Sequence, residues 1–246
     1  MNALIKIAIY GIVDYFLFKF GLYYGLFGLV IIIYQILRML GFFRRPEISK
    51  ASFCEGICFL KDYQGSYKNS GAGIEEAMKI IKTFKLDEIK VKYVVFGIFY
   101  DNPETVEESK LRYSIGIYQR NLGFAENPPR ELDSYCKDNN YYFAELPNAS
   151  SMYGSWDYSN SFALMKGIDK FYSGLKAKLN DDSFLKTYRI KKGTKCETIV
   201  EVYEFDSKIA FYAPLLNVDK FNLYKKDTKP NSISQRKNFF FIFTKR

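Results

Sequence analysis

Glu201 is the residue whose surroundings in the sequence most suggest chemistry. It lies in residues 197–205, where strand periodicity places it on one face with Ile199 and Tyr203. If that face lines a cleft, the carboxylate is partly desolvated and its pKa rises, so it can hold a cation or act as a general base. The alternative is an ordinary solvated strand glutamate. Trp156 is the second candidate for ligand contact, by stacking, and its alternative is a core or groove aromatic.

The residue types present exclude several kinds of catalytic and metal site. The chain contains no histidine, which removes Ser-His-Asp and Cys-His pairs and every histidine-ligated metal. Cys54 and Cys58 have the spacing of half a metal clip, but Cys136 and Cys196 are isolated. We therefore expect free thiols in a reducing compartment, no metal site and no cofactor.

Basic charge is concentrated at the two ends of the chain. The 246 residues carry 36 basic and 27 acidic side chains, a net charge of +9. Residues 1–50 hold 6 basic and 2 acidic residues and residues 217–246 hold 8 and 2, which leaves 22 and 23 in the middle. This distribution favours membrane flanks and a basic, flexible tail over a nucleic-acid-binding face, and we expect no nucleic acid partner.

The N-terminal region predicts a membrane anchor, assigned to residues 1–45. Residues 20–37 are free of charge, and 18 helical residues reach roughly 27 Å, close to the hydrocarbon thickness of a bilayer. Extended to Phe43, this segment predicts one transmembrane helix over residues 20–43. A cleaved signal peptide is the alternative. Residues 1–19 contain Lys6, Asp14 and Lys19, so we expect them to extend the helix or to lie in the interface.

The orientation of the predicted span follows from the charges that flank it. Arg38, Arg44 and Arg45 lie on its C-terminal side, and positively charged flanks stay in the cytosol. Residues 46–246 are therefore expected to be cytosolic.

Residues 46–216 predict one α+β domain built from two strand-helix-strand-strand units. The first unit spans strands near 57–63, 91–100 and 111–117 and a helix at 73–86; the second spans a strand at 151–158, a helix from Asn160 or Ser161, and strands from Glu197 and Lys208. Residues 129–137 predict a short helix and 141–146 a strand between the units. Two such units pair naturally as one antiparallel sheet with both helices on one face.

Three short motifs carry a resemblance to a known family. The segments YDNPETV at 100–106, VEVY at 200–203 and FYAPL at 211–215 resemble the GyrI-like, SOUL-related effector-binding domains. A membrane anchor joined directly to such a domain resembles the testis-expressed protein 264 family. The likeness covers roughly residues 50–216 and the anchor.

The resemblance implies a location, partners and a ligand. It implies a single-pass protein of the endoplasmic reticulum membrane with a cytosolic GyrI-like domain. Such proteins act as autophagy receptors for that organelle and as adaptors for the valosin-containing AAA ATPase. Bacterial GyrI-like relatives bind amphipathic or cationic small molecules through a Glu-x-Tyr motif, matched here by Glu201 and Tyr203, and a few hydrolyse reactive compounds.

The tail departs from the receptor pattern. Receptors of this family end in an aromatic-x-x-aliphatic motif that binds the autophagosomal ubiquitin-like modifier, and here Phe239 and Ile242 give the credible match. Arg236 and Lys237 precede it where acids are usual, and contact with a membrane surface is the alternative.

These observations leave three functional hypotheses. The leading one is a non-enzymatic membrane adaptor at the endoplasmic reticulum. The second is a membrane-tethered binding protein or hydrolase for an amphipathic or cationic small molecule that uses Glu201. The third is a secreted binding domain, in which the sequon at Asn148 would carry a glycan.

Overall fold

The structure is a computed structural model and describes residues 3–88, 93–120, 128–158, 160–204 and 208–224. The helices of these residues are α1 Ala3–Phe20, α2 Leu22–Met39, α3 Ser70–Thr83, α4 Arg130–Asp138, α5 Ser161–Leu179 and α6 Asp182–Tyr188. The strands are β1 Ser49–Phe53, β2 Gly56–Gln64, β3 Tyr93–Phe99, β4 Arg112–Arg120, β5 Tyr142–Leu146, β6 Ala149–Asp157, β7 Ile199–Glu204 and β8 Lys208–Pro214.

Residues 3–39 form two helices that fold back on each other. The backbone is extended at Gly21, which separates α1 from α2. Asp14 and Gly28 lie equally far from Gly21 along the chain, and the Asp14 carboxylate occupies the space that a Gly28 side chain would fill. The helices are therefore antiparallel and form a hairpin.

The predicted transmembrane helix over residues 20–43 is not confirmed. That segment contains α2, the turn that follows it and the break at Gly21, and the residues before it form a separate helix. In the described part of the chain, no helix combines the length and the apolar character needed to cross a membrane.

The predicted duplication is confirmed. The first unit is β2-α3-β3-β4, the second is β6-α5-β7-β8, and both contribute to one antiparallel sheet in the order β1-β6-β8-β7-β3-β4-β2-β5. The two units meet where β3 pairs with β7, and Gly97 lies opposite Glu201 at the centre of that pairing. Glu201 is therefore at the junction of the two halves.

The strand that precedes each repeated unit pairs with the other unit. β1 pairs with β6, and β5 pairs with β2, although Cys54–Glu55 alone separates β1 from β2 and Pro147–Asn148 alone separates β5 from β6. A two-residue connection spans at most roughly 11 Å, so strands that are far apart in the sheet order must approach one another. The sheet is consequently strongly curled.

Each face of the curled sheet covers its own apolar core. The helices pack on the outer face, where α3 and α5 cover residues that include Phe59, Ile115, Ile199 and Phe211. The inner face encloses a second core in which Phe53 contacts Tyr118, Tyr212 and Phe221. The expectation of helices on one face is confirmed. The inner core is a feature that the two-unit pattern did not indicate.

Residues 218–224, assigned from the sequence to the tail, cover the inner core. Val218–Phe221 form a short 3₁₀ helix, and Phe221 is fully buried. The carbonyl of Leu223 accepts a hydrogen bond from the Tyr142 hydroxyl at 3.0 Å. Residues 225–246 lie outside the described residues.

The connection after α2 is fixed to α5. Gly41 has φ +78°, and a side chain there would meet the Trp156 ring at 2.7 Å, so both the backbone and the close approach require glycine. The Lys170 ammonium donates to the carbonyl oxygens of Phe42 and Arg44. The base of the hairpin therefore has a defined position on the domain.

Candidate functional site

Glu201 lies in the middle of the outer face of the sheet, beneath the helices. Its side chain is only 2% exposed. Its cross-strand neighbours are Gly97 on β3 and Phe211 on β8, and Phe211 stacks on Phe171 of α5 with ring centroids 4.6 Å apart. Gly97 has no side chain, and the space beside it is occupied by Phe99 and Ile115, while the aromatic residues of α5 cover the β8 side.

Tyr203 is the direct partner of Glu201. Glu201 and Tyr203 are two positions apart on β7, so their side chains lie on the same face of the sheet. The Tyr203 hydroxyl donates a hydrogen bond to Glu201 Oε2 at 2.6 Å. Burial raises the pKa of Glu201 to about 7, and the hydrogen bond from Tyr203 lowers it in part. Burial and the nearby carboxylate raise the pKa of Tyr203 well above its usual range. Tyr203 therefore remains a neutral donor, while Glu201 titrates near neutral pH.

Two further tyrosines come close to Glu201 from outside the central strands. Tyr172 lies on α5, and Tyr67 lies in the short 3₁₀ helix between β2 and α3. Burial raises the pKa of both hydroxyls, and the charge of Glu201 raises each further. The carboxylate therefore lies among aromatic rings from both halves of the domain.

A polar clamp in the β3–β4 loop positions Tyr67. The Tyr67 hydroxyl donates to the carbonyl oxygen of Asp101 at 2.8 Å and accepts from the Asp101 N–H at 3.0 Å. The Asp101 carboxylate accepts hydrogen bonds from the backbone N–H of Arg112 at 2.7 Å and from its guanidinium at 2.7 and 3.0 Å. This is the structural role of the YDNP segment: it connects the loop to the ring that approaches Glu201.

Glu201 has no countercharge in the described part of the chain. None of the ion pairs formed by the described residues includes Glu201. A buried carboxylate without a cation is unfavourable, because burial removes hydration that no opposite charge replaces. The arrangement can therefore accept a positive charge from a ligand, or it can accept a proton.

The structure brings together two of the three predicted ligand-binding residues. Glu201 and Tyr203 are in direct contact. Trp156 is on the same face of the sheet, but its indole N–H donates to the Ala163 carbonyl oxygen at 2.9 Å and its ring lies against Gly41. Trp156 thus joins the hairpin base to α5, and its role in ligand binding stays a prediction.

Other predicted residues lie outside the described chain. The predicted partner-binding residues Phe239 and Ile242 are among them. Tyr67 and Tyr172 were not predicted as site residues. The sequence carries no signal that separates them from the other tyrosines, of which there are 21 in all.

The cysteines are free thiols, as expected. Cys58 and Cys136 are buried, and burial raises the pKa of the Cys58 thiol and brings that of Cys136 to about 12. Both thiols are therefore protonated at neutral pH and are poor nucleophiles. Within the described residues, no group of three or more cysteine and acidic side chains is placed to hold a metal ion.

The fold and the site define a class: an α+β protein with a duplicated, curled antiparallel sheet and a buried glutamate–tyrosine pair under its helices. No protein-family model matches the chain, and no curated protein matches it. The resemblance to the testis-expressed protein 264 family therefore stays a prediction.

Several solved structures are similar to this chain. The C-terminal domain of EcmrR is 11% identical with a TM-score of 0.40, over 69% of this chain and 96% of that one. SAV2435, solved bound to tetraphenylphosphonium, is 9% identical with a TM-score of 0.40, over 70% and 96%. A hydrolase from Listeria innocua is 11% identical with a TM-score of 0.40, over 71% and 94%.

Proposed function

We propose that the domain binds a small organic cation at Glu201. The observation that carries this proposal is the buried carboxylate, which receives a hydrogen bond from Tyr203 and forms no ion pair within the described residues. A bound cation would supply the missing charge, and its desolvated attraction to the carboxylate would favour binding.

The aromatic residues around Glu201 favour an organic cation over a metal ion. A carboxylate surrounded by tyrosine rings offers one charged ligand and several aromatic faces. Aromatic faces attract ammonium-type cations and bury the apolar groups attached to them. Metal ions of the hard type require several oxygen ligands at once. The proposed ligand is therefore amphipathic, with one positive charge and a flat or compact apolar body.

Binding fits the geometry better than hydrolysis does. The raised pKa of Glu201 suits a general base, but a base also needs a water molecule beside it. Glu201 is 2% exposed, and a ligand must move covering rings such as Tyr172 before it reaches the carboxylate. The adaptor hypothesis for the endoplasmic reticulum remains a separate prediction, and its autophagy-receptor form depends on Phe239 and Ile242.

The test is binding of a fluorescent cation, rhodamine 6G, measured by anisotropy with the full chain. Glu201→Gln keeps the shape of the side chain and removes its charge. We expect its affinity to be at least about 30-fold weaker, which corresponds to about 2 kcal/mol for an unpaired buried charge. Wild-type affinity should also fall as the pH drops below the Glu201 pKa of about 7.

Glu204→Gln is the matched control, because Glu204 lies on the same strand but on the opposite face. It should leave the affinity unchanged. Equal affinities of the wild type and Glu201→Gln, or a loss of the same size in Glu204→Gln, would contradict a site at Glu201.

A further inference from the structure

The outer surface of the α1–α2 hairpin is apolar over its length. Fifteen of its large apolar or aromatic side chains are exposed, among them Phe16 at 58% and Phe27 at 67%. The full set is Ile5, Ile7, Ile9, Tyr10, Ile12, Val13, Tyr15, Phe16, Leu26, Phe27, Leu29, Val30, Ile33, Tyr34 and Ile36. So much exposed apolar surface requires something to cover it.

The exposed side chains surround α1, and on α2 they cover the half of the helix that faces away from Gly28. Ile12, Val13, Tyr15 and Phe16 follow one another along α1, and consecutive positions point about 100° apart. A partner protein packs against one stripe of a helix, whereas a helix that is apolar on all sides is buried in a core or surrounded by lipid. The pattern therefore points to an apolar medium around the hairpin.

The acidic side chain in the middle of the hairpin is turned away from this outer surface. The Asp14 carboxylate lies in the notch that Gly28 leaves between the helices, and Gly28 is buried. A carboxylate directed outward at this position would make contact with lipid unfavourable. Its inward position keeps the described outer surface of the middle section apolar.

The positive charges lie mostly at the open end of the hairpin. Lys6 is as far before Gly21 as Ile36 is after it, so Lys6 lies near Arg38, and Arg44 and Arg45 follow directly. Basic residues at one end suit anionic lipid headgroups.

Aromatic rings and lysines connect this open end to α5. Phe42 stacks on Phe162 with centroids 5.9 Å apart, and the Lys166 ammonium is 5.3 Å from the Phe42 ring. Phe43 and Met165 are each 58% exposed beside them. Aromatic and basic side chains are typical of the boundary between lipid and water. The base of the hairpin thus has the composition of an interfacial belt.

We infer that residues 3–39 enter a lipid bilayer as a hairpin from one side, with Gly21 deepest and both ends of the hairpin on the side of the domain. This differs from the predicted single span, which would place the N-terminus on the opposite side from the domain. It does not depend on what binds at Glu201.

The test uses the full chain with a different epitope tag at each end, synthesised without cells in the presence of preformed vesicles of phosphatidylcholine and phosphatidylserine. Flotation measures binding to the vesicles, and protease added outside measures which tags are accessible. We expect the chain to float and both tags to be removed. A protease-resistant domain fragment reports that the sheet has folded.

Two outcomes of the wild-type experiment would overturn the inference. A protected N-terminal tag together with an accessible C-terminal tag would indicate a single span. A folded chain that stays at the bottom of the gradient would indicate that the apolar surface is covered by a protein or by a second copy of the chain.

Gly28→Leu and Gly11→Leu form a matched pair of variants. A leucine at position 28 displaces the Asp14 carboxylate toward the lipid, whereas a side chain at Gly11 meets nothing within 4 Å. Gly28→Leu should float several-fold less than the wild type, and Gly11→Leu should float equally well. Equal flotation of both variants would also overturn the inserted hairpin.

Discussion

The buried carboxylate of Glu201 lowers the stability of the folded domain. Its pKa is raised from 4.5 to about 7 by burial, so between these values the folded state binds more protons than the unfolded state. Stability therefore falls as the pH rises through this window. The cost is complete above pH 7 and disappears below the unfolded value, and a shift of this size corresponds to about 3 kcal/mol.

Glu201 should therefore both lower the stability of the fold and provide the charge that binds the proposed cation. Glu201→Gln removes the charge and keeps an acceptor for the hydrogen bond from Tyr203. At pH 8 we therefore expect the free energy of unfolding of this variant to exceed that of the wild type by up to about 3 kcal/mol. The difference should shrink as the pH falls toward 5. Urea unfolding at several pH values measures it, with Glu204→Gln as the control. A wild type that is more stable than Glu201→Gln at pH 8 would show that the charge is compensated.

The central pair of the site is readable in the sequence, and its surroundings are not. The period of two along a strand places Glu201 and Tyr203 on one face whatever the rest of the chain does. Tyr67 and Tyr172 reach the same place from a 3₁₀ helix and from α5, more than a hundred residues apart. Only tertiary packing brings them together, and no local pattern records it.

Among the elements, the β3–β4 loop has the clearest mechanical role. Asp101 and Arg112 close the loop, and Tyr67 is held against it by its hydroxyl. Because Asp101 is only 11% exposed and accepts a backbone N–H as well as the guanidinium, the pair is stronger than an ordinary surface ion pair. The loop therefore controls the position of a ring near Glu201.

Asp101→Ala tests this role. Loss of hydrogen bonds to a charged group should lower the free energy of unfolding by about 1 to 3 kcal/mol and increase hydrogen exchange around Tyr67. Glu107→Ala is the control, because its ion pair with Lys110 in the same loop is solvent-exposed and should contribute little to stability. Thermal unfolding and hydrogen exchange measure both effects. Similar small losses in the two variants would mean that the clamp does not hold the loop.

Element prediction succeeded where the apolar pattern was clear, including the short α4 and β5, and failed where the pattern was weak. The strands and helices of both repeated units follow clear periods, and Asn160 accepts the capping hydrogen bond from the Ala163 N–H as expected. β1 and α6 were missed. β1 has five residues, four of them small or polar, and α6 has seven residues, so neither contains enough of a pattern to be recognised.

For the whole molecule, the closing segment at 218–224 is the feature on which the inner core depends. Phe221 is fully buried and contacts Phe53, and both belong to the inner core that strands of both halves form. An aromatic side chain in such a place contributes through lost solvent contact and through the cavity that its removal leaves.

Phe221→Ala should therefore destabilise the domain by about 3 to 5 kcal/mol. Leu216→Ala lies close by in the chain at 62% exposure and should change stability by no more than about 0.5 kcal/mol. Denaturant unfolding of the two variants measures the difference. If both variants match the wild type, the segment does not seal the core in solution.

The exchange of β1 and β5 between the halves has a consequence for biosynthesis. Ser49 pairs with Tyr153, so β1 leaves the ribosome about a hundred residues before its partner strand exists. Neither half can satisfy its own sheet edges in the meantime, and closing such distant contacts is slow. The backbone of β1 therefore stays unpaired and exposed until the second unit has been synthesised. A delay in translation between the two units would prolong the interval in which the nascent chain can aggregate.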